Sequence, residues 1–322
     1  MKGSNVVKFA LYFFYFLSMI KYYQLQAGRI VAAEKGVAQI IMLVNPGQEE
    51  INTIIKDYQM DEHTVSSAFD TEELARLEYE DNHTAIIFKK PKSYNAQDRF
   101  IFRISSFGVF IFENKVIILS DTDLPLMDEK RFFRITSLNM FALKLLNYST
   151  FHFSEHLRII SRVNDELEAK LVTSMENKYL LYMFGLCKSL VYYLDAINSN
   201  QNVLRKLQNG RNIVFTEVEK DWLEDIYIEN SQCLSQTENL SNVLASMMDA
   251  RASIVSNNLN TSMKTLNVLT IGIMVPTFVV SSFSMNIKYP INTEADWSFW
   301  IIIFLVILVT IGFLFLHKRN KW

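Results

Sequence analysis

The sequence predicts an α+β domain followed by a long helical region and two membrane-spanning helices at the C-terminus. The two apolar runs near the end are the clearest signal, because residues 265–287 and 297–316 contain no charged side chain over 23 and 20 positions. A helix rises about 1.5 Å per residue, so each run can cross a hydrocarbon core of about 30 Å. Backbone groups in lipid must bond to one another, and helices are therefore the expected form.

Composition and charge support this division and narrow the class of protein. Half of the residues are hydrophobic and 20% are charged, a mixture that fits a large polar region joined to a small membrane part. The formal net charge of -2 argues against a general nucleic-acid-binding protein, which would show a basic face. Cys187 and Cys233 are too few for a disulfide framework, so a reducing, cytoplasmic setting is the default for this region.

Residues 1–18 form an N-terminal extension to which we assign no function. An apolar core, residues 9–17, follows Lys2 and Lys8, which is the pattern of a signal peptide or of a short membrane anchor. No clear small-residue cleavage site follows this core. The interpretation that we favour is that translation starts at Met19, which opens a strand-like sequence.

Residues 19–130 are predicted to form a cytoplasmic α/β domain with a mixed or antiparallel sheet. Ala38–Asn45 is an apolar run of the buried-strand type, and Gln48–Gln59 has the three- and four-residue spacing of an amphipathic helix. Antiparallel strands are predicted at His83–Lys90, Phe100–Ser106, Gly108–Glu113 and Lys115–Ser120. Because no glycine-rich phosphate loop interrupts this domain, no organic cofactor is expected, and an enzyme is the least expected class.

Residues 131–262 are predicted to form a helical stalk region. Helical spacing of apolar residues continues to Asn209, and Gly210 marks a break. Residues 211–271 then contain no glycine or proline over 61 positions, which predicts a single helix that continues into the first apolar run. The alternative is two helices with an unmarked break. A helix of this length needs neighbours along its side, either upstream helices or other copies of the chain.

The segment from His152 to His156 matches the H-x-x-E-H pattern of some zinc peptidases. That chemistry needs both histidines on one helical face, a catalytic glutamate and a third metal ligand downstream. Because the chain has five histidines, a chance match is the simpler explanation. We expect the segment to be the exposed start of a helix without a catalytic role.

Residues 263–322 are predicted to form a two-helix transmembrane pore domain with a basic tail. Polar and sulfur-containing side chains recur every three or four residues along the first span and just before it, at Asn260, Met263, Asn267, Thr270, Met274, Thr277 and Ser281. Such a stripe either packs against other helices or lines an aqueous path. Two helices cannot enclose a path but a ring of copies can, so the pattern predicts an oligomeric channel or transporter.

The charges that flank the apolar runs predict the orientation in the membrane. Lys318, Arg319 and Lys321 follow the second run, whereas the loop of residues 288–296 carries one lysine against two acidic residues. Basic flanks stay on the cytoplasmic side. Both termini are therefore expected to be cytoplasmic, with the loop outside the plasma (inner) membrane.

The segment Met263–Asn286 has the sequence MKTLNVLTIGIMVPTFVVSSFSMN, which resembles the pore helix of the CorA family of divalent-cation channels. That family ends its first span with Tyr-Gly-Met-Asn, and this chain has Phe283-Ser284-Met285-Asn286 at those places. The resemblance covers most of the chain, through Tyr22–Leu25, Val44–Pro46, His63–Val65 and Arg76–Asp81 to the basic tail ending in Trp322.

The resemblance implies a funnel-shaped homopentamer that moves divalent cations, with Mg²⁺ uptake as the first expectation. The selectivity filter would be Ser284, Met285 and Asn286. The pore-lining and gating positions would be Asn260, Met263, Leu266, Met274 and Thr277. Zn²⁺, Co²⁺ and Ni²⁺ stay open as cargo, because amide oxygens do not choose among these ions by charge or softness alone.

Two departures from the family pattern concern the mouth of the pore. Ser284 replaces the signature glycine, which permits backbone angles that a residue with a Cβ resists. Lys288 lies two residues beyond Asn286, where five lysines would repel cations unless they point outward. These departures leave an alternative from another class, a non-conducting membrane scaffold or sensor.

A third departure concerns regulation by intracellular Mg²⁺, which in this family uses acidic residues between subunits. Asp225 and Asp249 match these residues by type and would be the regulatory metal ligands. On the opposite side, Val65-Ser66-Ser67-Ala68 stands where the family often has Leu-Glu-Asp-Ala. Asp70 or Glu72 is the expected substitute, and the site would be weakened.

Overall fold

In the computed structural model, the described residues are 19–93, 101–127, 132–173, 177–210, 212–285 and 297–320. They fall into two compact units that divide between Met248 and Asp249. The strands are β1 Met19–Gln26, β2 Arg29–Ala32, β3 Ile40–Val44, β4 Arg76–Tyr79, β5 His83–Pro91, β6 Ile104–Phe112 and β7 Val116–Ser120. The helices are α1 Gln48–Tyr58, α2 Glu62–Ser67, α3 Leu138–Thr173, α4 Asn177–Asn209, α5 Glu217–Phe283 and α6 Trp297–Asn320.

The strands form one mixed sheet in the order β2-β1-β3-β7-β6-β5-β4. Neighbouring strands are antiparallel except β3 and β7, which pair in parallel with Ile40 opposite Val116. At the β6–β7 turn the Phe112 N–H donates to the Lys115 carbonyl at 2.8 Å. The prediction of a mixed α/β domain is confirmed, and the predicted strand and helix within residues 38–59 are present as β3 and α1.

The predicted break between two strands at residue 107 is wrong, because β6 runs through it without interruption. Gly108 lies in the middle of this strand, opposite Leu119 of β7. A Cβ at Gly108 would come within 2.7 Å of the Phe110 ring and 2.8 Å of the Ala68 Cβ. The glycine therefore permits close packing of the segment after α2 on the sheet rather than ending a strand.

The two faces of the sheet pack against different helices. One face joins a core with α1 and α2, to which Ile87 of the sheet and Val65 of α2 both belong. The other face joins a core with α3, α4 and the first turns of α5, which includes Phe88, Phe141 and Leu223. Every residue of β5 is buried, which is why its middle, residues 85–88, is a continuous apolar run rather than an alternating pattern.

A buried glutamate joins the starts of α3 and α5. The carboxylate of Glu219, 2% exposed, accepts from the Thr216 N–H at 2.8 Å and from the Thr216 hydroxyl at 3.0 Å. The Glu219 N–H donates back to that hydroxyl at 3.4 Å, which completes a capping box. Ser137 caps α3 by accepting from the Met140 N–H, and it donates its own proton to Glu219. The two helix starts are thereby fixed to one another.

The H-x-x-E-H segment lies in the middle of α3, so the expectation of an exposed helix start is wrong. His156 Nδ1 lies 2.7 Å from the hydroxyl of Tyr193, which is fully buried in a second core formed mainly by α3, α4 and α5. Burial, and then the neighbouring His152, lower the pKa of His156 to about 4. Burial also raises the pKa of Tyr193. The pair is therefore neutral at pH 7, and it fills a core rather than holding a metal.

The long helix α5 is continuous over 67 residues, from Glu217 to Phe283. The prediction that one helix continues into the first apolar run is confirmed, and the alternative of two helices with an unmarked break is wrong. Pro276 lies inside this helix. Because proline has no N–H, the Gly272 carbonyl one turn earlier receives no amide bond from it.

Three helices in the described part of the chain are long and apolar enough to cross a membrane, by length and composition. These are Lys178–Asn209, Glu217–Phe283 and Trp297–Phe315. In the first helix, 39% of the apolar 18-residue stretch is buried within the chain, because α4 packs into the second core. The corresponding stretches of the second and third helices are 0% and 6% buried. The two C-terminal helices therefore match the predicted spans.

A buried ion pair supports the sheet face that carries α3 and α4. The Lys90 ammonium lies 3.0 Å from Asp121 Oδ1 and donates to the hydroxyls of Ser120 and Thr122 at 2.6 Å each. Burial lowers the pKa of Lys90, and Asp121 opposes that shift. Burial alone would raise the pKa of Asp121, but Lys90 and Lys92 outweigh it and hold this pKa below the usual range.

We predict that Asp121→Asn destabilises the first unit by about 3 kcal/mol, because it leaves the Lys90 charge buried without its partner. The matched control is Asp123→Asn, which breaks the more exposed pair with Lys21 and should cost less than about 1 kcal/mol. Thermal unfolding of the purified proteins at pH 7 measures both. A melting temperature for Asp121→Asn equal to that of Asp123→Asn would contradict the prediction.

The same pair predicts a pH dependence. The folded-state pKa of Asp121 is depressed, so its stabilising contribution is fully present above the ordinary carboxyl pKa of about 3.9. It is lost as the pH falls through the lower pKa of the folded state. The difference between the parent protein and Asp121→Asn should therefore narrow below about pH 4.

Candidate functional site

The predicted pore-lining side chains lie on one face of α5 in the second unit. At 3.6 residues per turn, Asn260, Met263, Leu266, Met274 and Thr277 fall within an arc of about 120°. All five side chains are exposed in the single chain. Asn267, Thr270 and Ser281 fall within the same arc, and we call this set, together with Ser284 and Met285 just beyond the helix end, the polar stripe.

The hydroxyl groups of the stripe are hydrogen-bond acceptors toward the outside. The Thr277 hydroxyl donates to the Ile273 carbonyl at 2.7 Å, and the Ser284 hydroxyl donates to the Val280 carbonyl at 3.1 Å. The Thr270 hydroxyl likewise donates to the carbonyl of the residue one turn before it, Leu266. With their protons used on the helix backbone, these oxygens present lone pairs outward. They suit the water molecules around a cation better than an anion.

The stripe ends where α5 ends. Ser284 follows the last helical residue, and its N–H donates to the Ser281 carbonyl at 3.1 Å, which tightens the final turn. Ser284 is not among the described residues with a positive φ, so in this conformation its Cβ causes no left-handed strain. Met285 is exposed next to it, and Asn286 lies outside the described residues.

One copy of the chain cannot bring the stripe residues to face one another, because they stand on one face of one helix. From Asn260 to Ser284 they extend over about 36 Å of helix. Among the described residues there is no group of three His, Cys, Asp or Glu side chains that could hold a metal ion. The stripe therefore presents neutral oxygen and sulfur atoms, and only further copies of the chain can surround an ion with them.

The residues of the predicted regulatory site lie on different elements. Asp225 and Asp249 are both exposed on α5, the first in the first unit and the second in the second. On α2, Ser66 is exposed but Ser67 is 5% exposed. The Ser67 hydroxyl donates to a carbonyl one turn earlier and accepts from the Arg76 guanidinium at 2.9 Å. The Ser67 hydroxyl therefore makes its hydrogen bonds inside the domain and is not a ligand for a cation at the surface.

The role of Lys89 was missed by the sequence analysis. Its ammonium, 2% exposed, donates to the carbonyls of Asp70 and Thr71 at 3.3 and 3.0 Å and to the Ser106 hydroxyl at 2.7 Å. The loop that carries the candidate substitute ligands Asp70 and Glu72 is thus fixed to the sheet. The sequence did contain a signal, namely two consecutive lysines at the end of an apolar run. Lysine side chains are normally solvated, and such a pair is unexpected in a buried strand.

An α/β domain, a long helix that becomes apolar but keeps a polar stripe, and a second apolar helix together define a membrane transport protein with two spans. The family model for CorA-like Mg²⁺ transporter proteins matches residues 36–319. The chain therefore belongs to this family, and the resemblance stated from the pore helix is confirmed.

Sequence and structure comparisons agree on this family. The chain is 23% identical over 287 residues to the cobalt/magnesium transport protein CorA of Methanocaldococcus jannaschii, covering 86% of this chain and 89% of that protein. Its fold is similar to the complete structure of the CorA magnesium transporter from the same organism, with a TM-score of 0.77, 21% identity and coverage of 95% and 98%. It is also similar to the full-length CmaX protein, with a TM-score of 0.73, 14% identity and the same coverage.

We predict that millimolar Mg²⁺ raises the melting temperature of the protein modestly and that Asp225→Asn reduces this increment. A divalent ion would offset the repulsion of carboxylates brought together by neighbouring copies, and it would keep several of its waters because Ser67 faces inward. Asp221→Asn changes another exposed aspartate one turn earlier on α5, and as the control it should leave the increment unchanged. Equal increments in the parent and in Asp225→Asn would exclude Asp225 from the site.

Proposed function

We propose that the protein is a divalent-cation channel of the plasma (inner) membrane that admits Mg²⁺ through a pore lined by α5. The observation that carries the proposal is the exposed polar stripe on an otherwise apolar helix, in a chain that belongs to the CorA-like family. Exposed amides and hydroxyls on one face of an apolar helix are unfavourable in lipid unless that face meets water or other helices. A ring of copies supplies both.

The pore is a homopentamer, with the first span of each copy on the inside and α6 shielding it from lipid. Support comes from the exposure of large apolar side chains on both helices, such as Phe278 at 73% and Phe304 at 66%, which a membrane would cover. Both termini are cytoplasmic, since Lys318 and Arg319 stand at the C-terminal end of α6. Acidic Asp225 and Asp249 serve as regulatory Mg²⁺ ligands between copies.

The proposed mechanism transports the ion with most of its water. Mg²⁺ gives up water reluctantly, so a ring of Asn286 amides at the mouth, with Ser284 and Met285 beside it, accepts hydrogen bonds from the hydrated ion without stripping it. Met263, Leu266 and Met274 form apolar constrictions that close by losing water. Thr277 and Asn260 form polar rings between and below them. The driving force is the ion gradient and the membrane potential, worth about 2.3 kcal/mol per charge per 100 mV.

A second candidate function is a non-conducting scaffold or sensor, which Lys288 near the mouth favours. The strain-free conformation of Ser284 speaks against it, because the serine itself does not force a different end to the helix. Growth rescue of a strain that lacks magnesium transport distinguishes the two functions. Rescue supports the channel, and absence of rescue by a protein that reaches the membrane supports the scaffold.

We predict that Asn286→Ala lowers Mg²⁺ flux into liposomes by at least about tenfold, because a single hydrogen bond to a charged group is worth about 1.5 kcal/mol and the ring loses an amide from every copy. Asn258→Ala is the matched control, because Asn258 lies on the face of α5 opposite the stripe and its loss should leave flux unchanged. The assay compares Mg²⁺, Zn²⁺, Co²⁺ and Ni²⁺ for each protein. Unchanged flux and ion preference in Asn286→Ala would remove Asn286 from the filter.

We also predict that native mass spectrometry of the detergent-solubilised protein detects five copies of the 37.5 kDa chain. A two-span chain needs partners to enclose a path, and exposed apolar faces on α5 and α6 favour close packing of copies. Dissociation of the complex in the gas phase should release single chains of that mass. A stable monomer or dimer would contradict the pore.

A further inference from the structure

The methionines of the second unit all stand in the polar stripe. The chain has 13 methionines, and those that follow Met248 are Met263, Met274 and Met285. Their side chains are 61%, 62% and 57% exposed, so none of them fills a core of the single chain. The second span, residues 297–316, is equally apolar but contains no methionine. The thioethers are therefore concentrated on the face that the proposed pore uses.

The spacing of these residues places them in line. Met263 and Met274 are 11 positions apart on α5, which is close to three helical turns, so the second is rotated only about 20° from the first. Met285 follows another 11 positions later, two residues beyond the end of α5. The levels of Met263 and Met274 are therefore about 16 Å apart along the helix. In the proposed ring of copies, which this inference requires, each level becomes one ring of thioethers, and the three rings are too far apart to share an ion.

The chemistry of sulfur separates these rings from the rest of the stripe. Thioether sulfur is a soft, neutral ligand that favours soft ions such as Cu⁺, whereas Mg²⁺ prefers hard oxygen ligands and keeps its water. No histidine or cysteine occurs between residues 249 and 285, so the methionines are the soft donors of this part of the helix. A hydrated Mg²⁺ ion passes such a ring, and a soft ion that exchanges its water for sulfur stays.

We propose that Met263, Met274 and Met285 form three thioether rings that bind soft monovalent cations, such as Ag⁺ or Cu⁺, and that an ion held there blocks the pathway. The site needs no change of oxidation state, because Ag⁺ binds and leaves as the same ion. The ordinary explanation of these residues is that methionine is a flexible apolar filler. Leucine is equally apolar and of similar volume, so replacement by leucine distinguishes filler from ligand.

The experiment uses Ag⁺ as the probe, in chloride-free nitrate buffer, on the full chain with Cys187→Ser and Cys233→Ser. The cysteine changes matter because thiols bind Ag⁺, and the Cys187 sulfur already lies 3.6 Å from the Met248 sulfur. Bound silver is counted by elemental mass spectrometry after desalting. Mg²⁺ flux into liposomes is measured at increasing Ag⁺ and normalised to the flux of each variant without Ag⁺.

We expect the parent to retain Ag⁺ and to lose Mg²⁺ flux, and each single methionine-to-leucine variant to retain less silver. The triple variant should require at least about tenfold more Ag⁺ for the same inhibition. Met127→Leu is the matched control, because Met127 is 49% exposed but lies outside the stripe, and it should retain as much silver as the parent.

Equal silver retention by the parent and the triple variant would overturn the inference, whatever the flux. Inhibition that is unchanged in the triple variant would also overturn it. The silver count needs no transport, so it separates this inference from the proposed function. Methionine-dependent retention in a protein that conducts no Mg²⁺ would support the thioether rings and reject the channel.

Discussion

The structure depends on the continuity of α5, a single helix whose one register runs from a packed core into an exposed apolar segment. Its first turns are fixed by the buried Glu219, and Leu223 then enters the core beneath the sheet. Further along, Leu244 enters the second core, and between Ala252 and Phe283 no side chain of α5 is buried in the single chain. A helix turns by about 100° per residue. One inserted or deleted residue between Met248 and Asn260 would therefore rotate the stripe by about 100° about the helix axis.

The first unit provides a firm base for that helix because polar contacts tie its helices to the sheet. The side-chain amide of Asn200 in α4 accepts from the Lys89 N–H at 2.8 Å and donates to the Lys89 carbonyl at 2.9 Å. It takes the place of a neighbouring strand at the end of β5. Ser149 of α3 donates to the same carbonyl at 2.6 Å. Since an unmade buried hydrogen bond is expensive, these contacts specify where α3 and α4 sit on the sheet.

The sequence predicts those features that depend on periodicity and length, and fails where tertiary contacts decide. The spans, the continuity of α5 and the order of the stripe follow from local spacing. The strand break predicted near Gly108 was wrong because this glycine permits a close approach by Ala68, which no local pattern reveals. His156 misled because its partner, Tyr193, comes from another helix. The role of Lys89 was missed for the same reason, since the carbonyls that accept from it belong to the loop between α2 and β4. The assignment of Asn286 to the filter rests on the sequence motif alone.

A stripe of neutral groups limits how a divalent cation can be attracted and released. A ring of carboxylates would bind the ion strongly, whereas amides, hydroxyls and thioethers each contribute little and let it leave. The pull must then come from outside the ring, and a potential of 100 mV acting on two charges supplies about 4.6 kcal/mol. That is comparable with a few hydrogen bonds to a hydrated ion. In the proposed pore, flux would therefore be governed by how closely the copies approach one another, because distance decides whether the ion's own water bridges the ring.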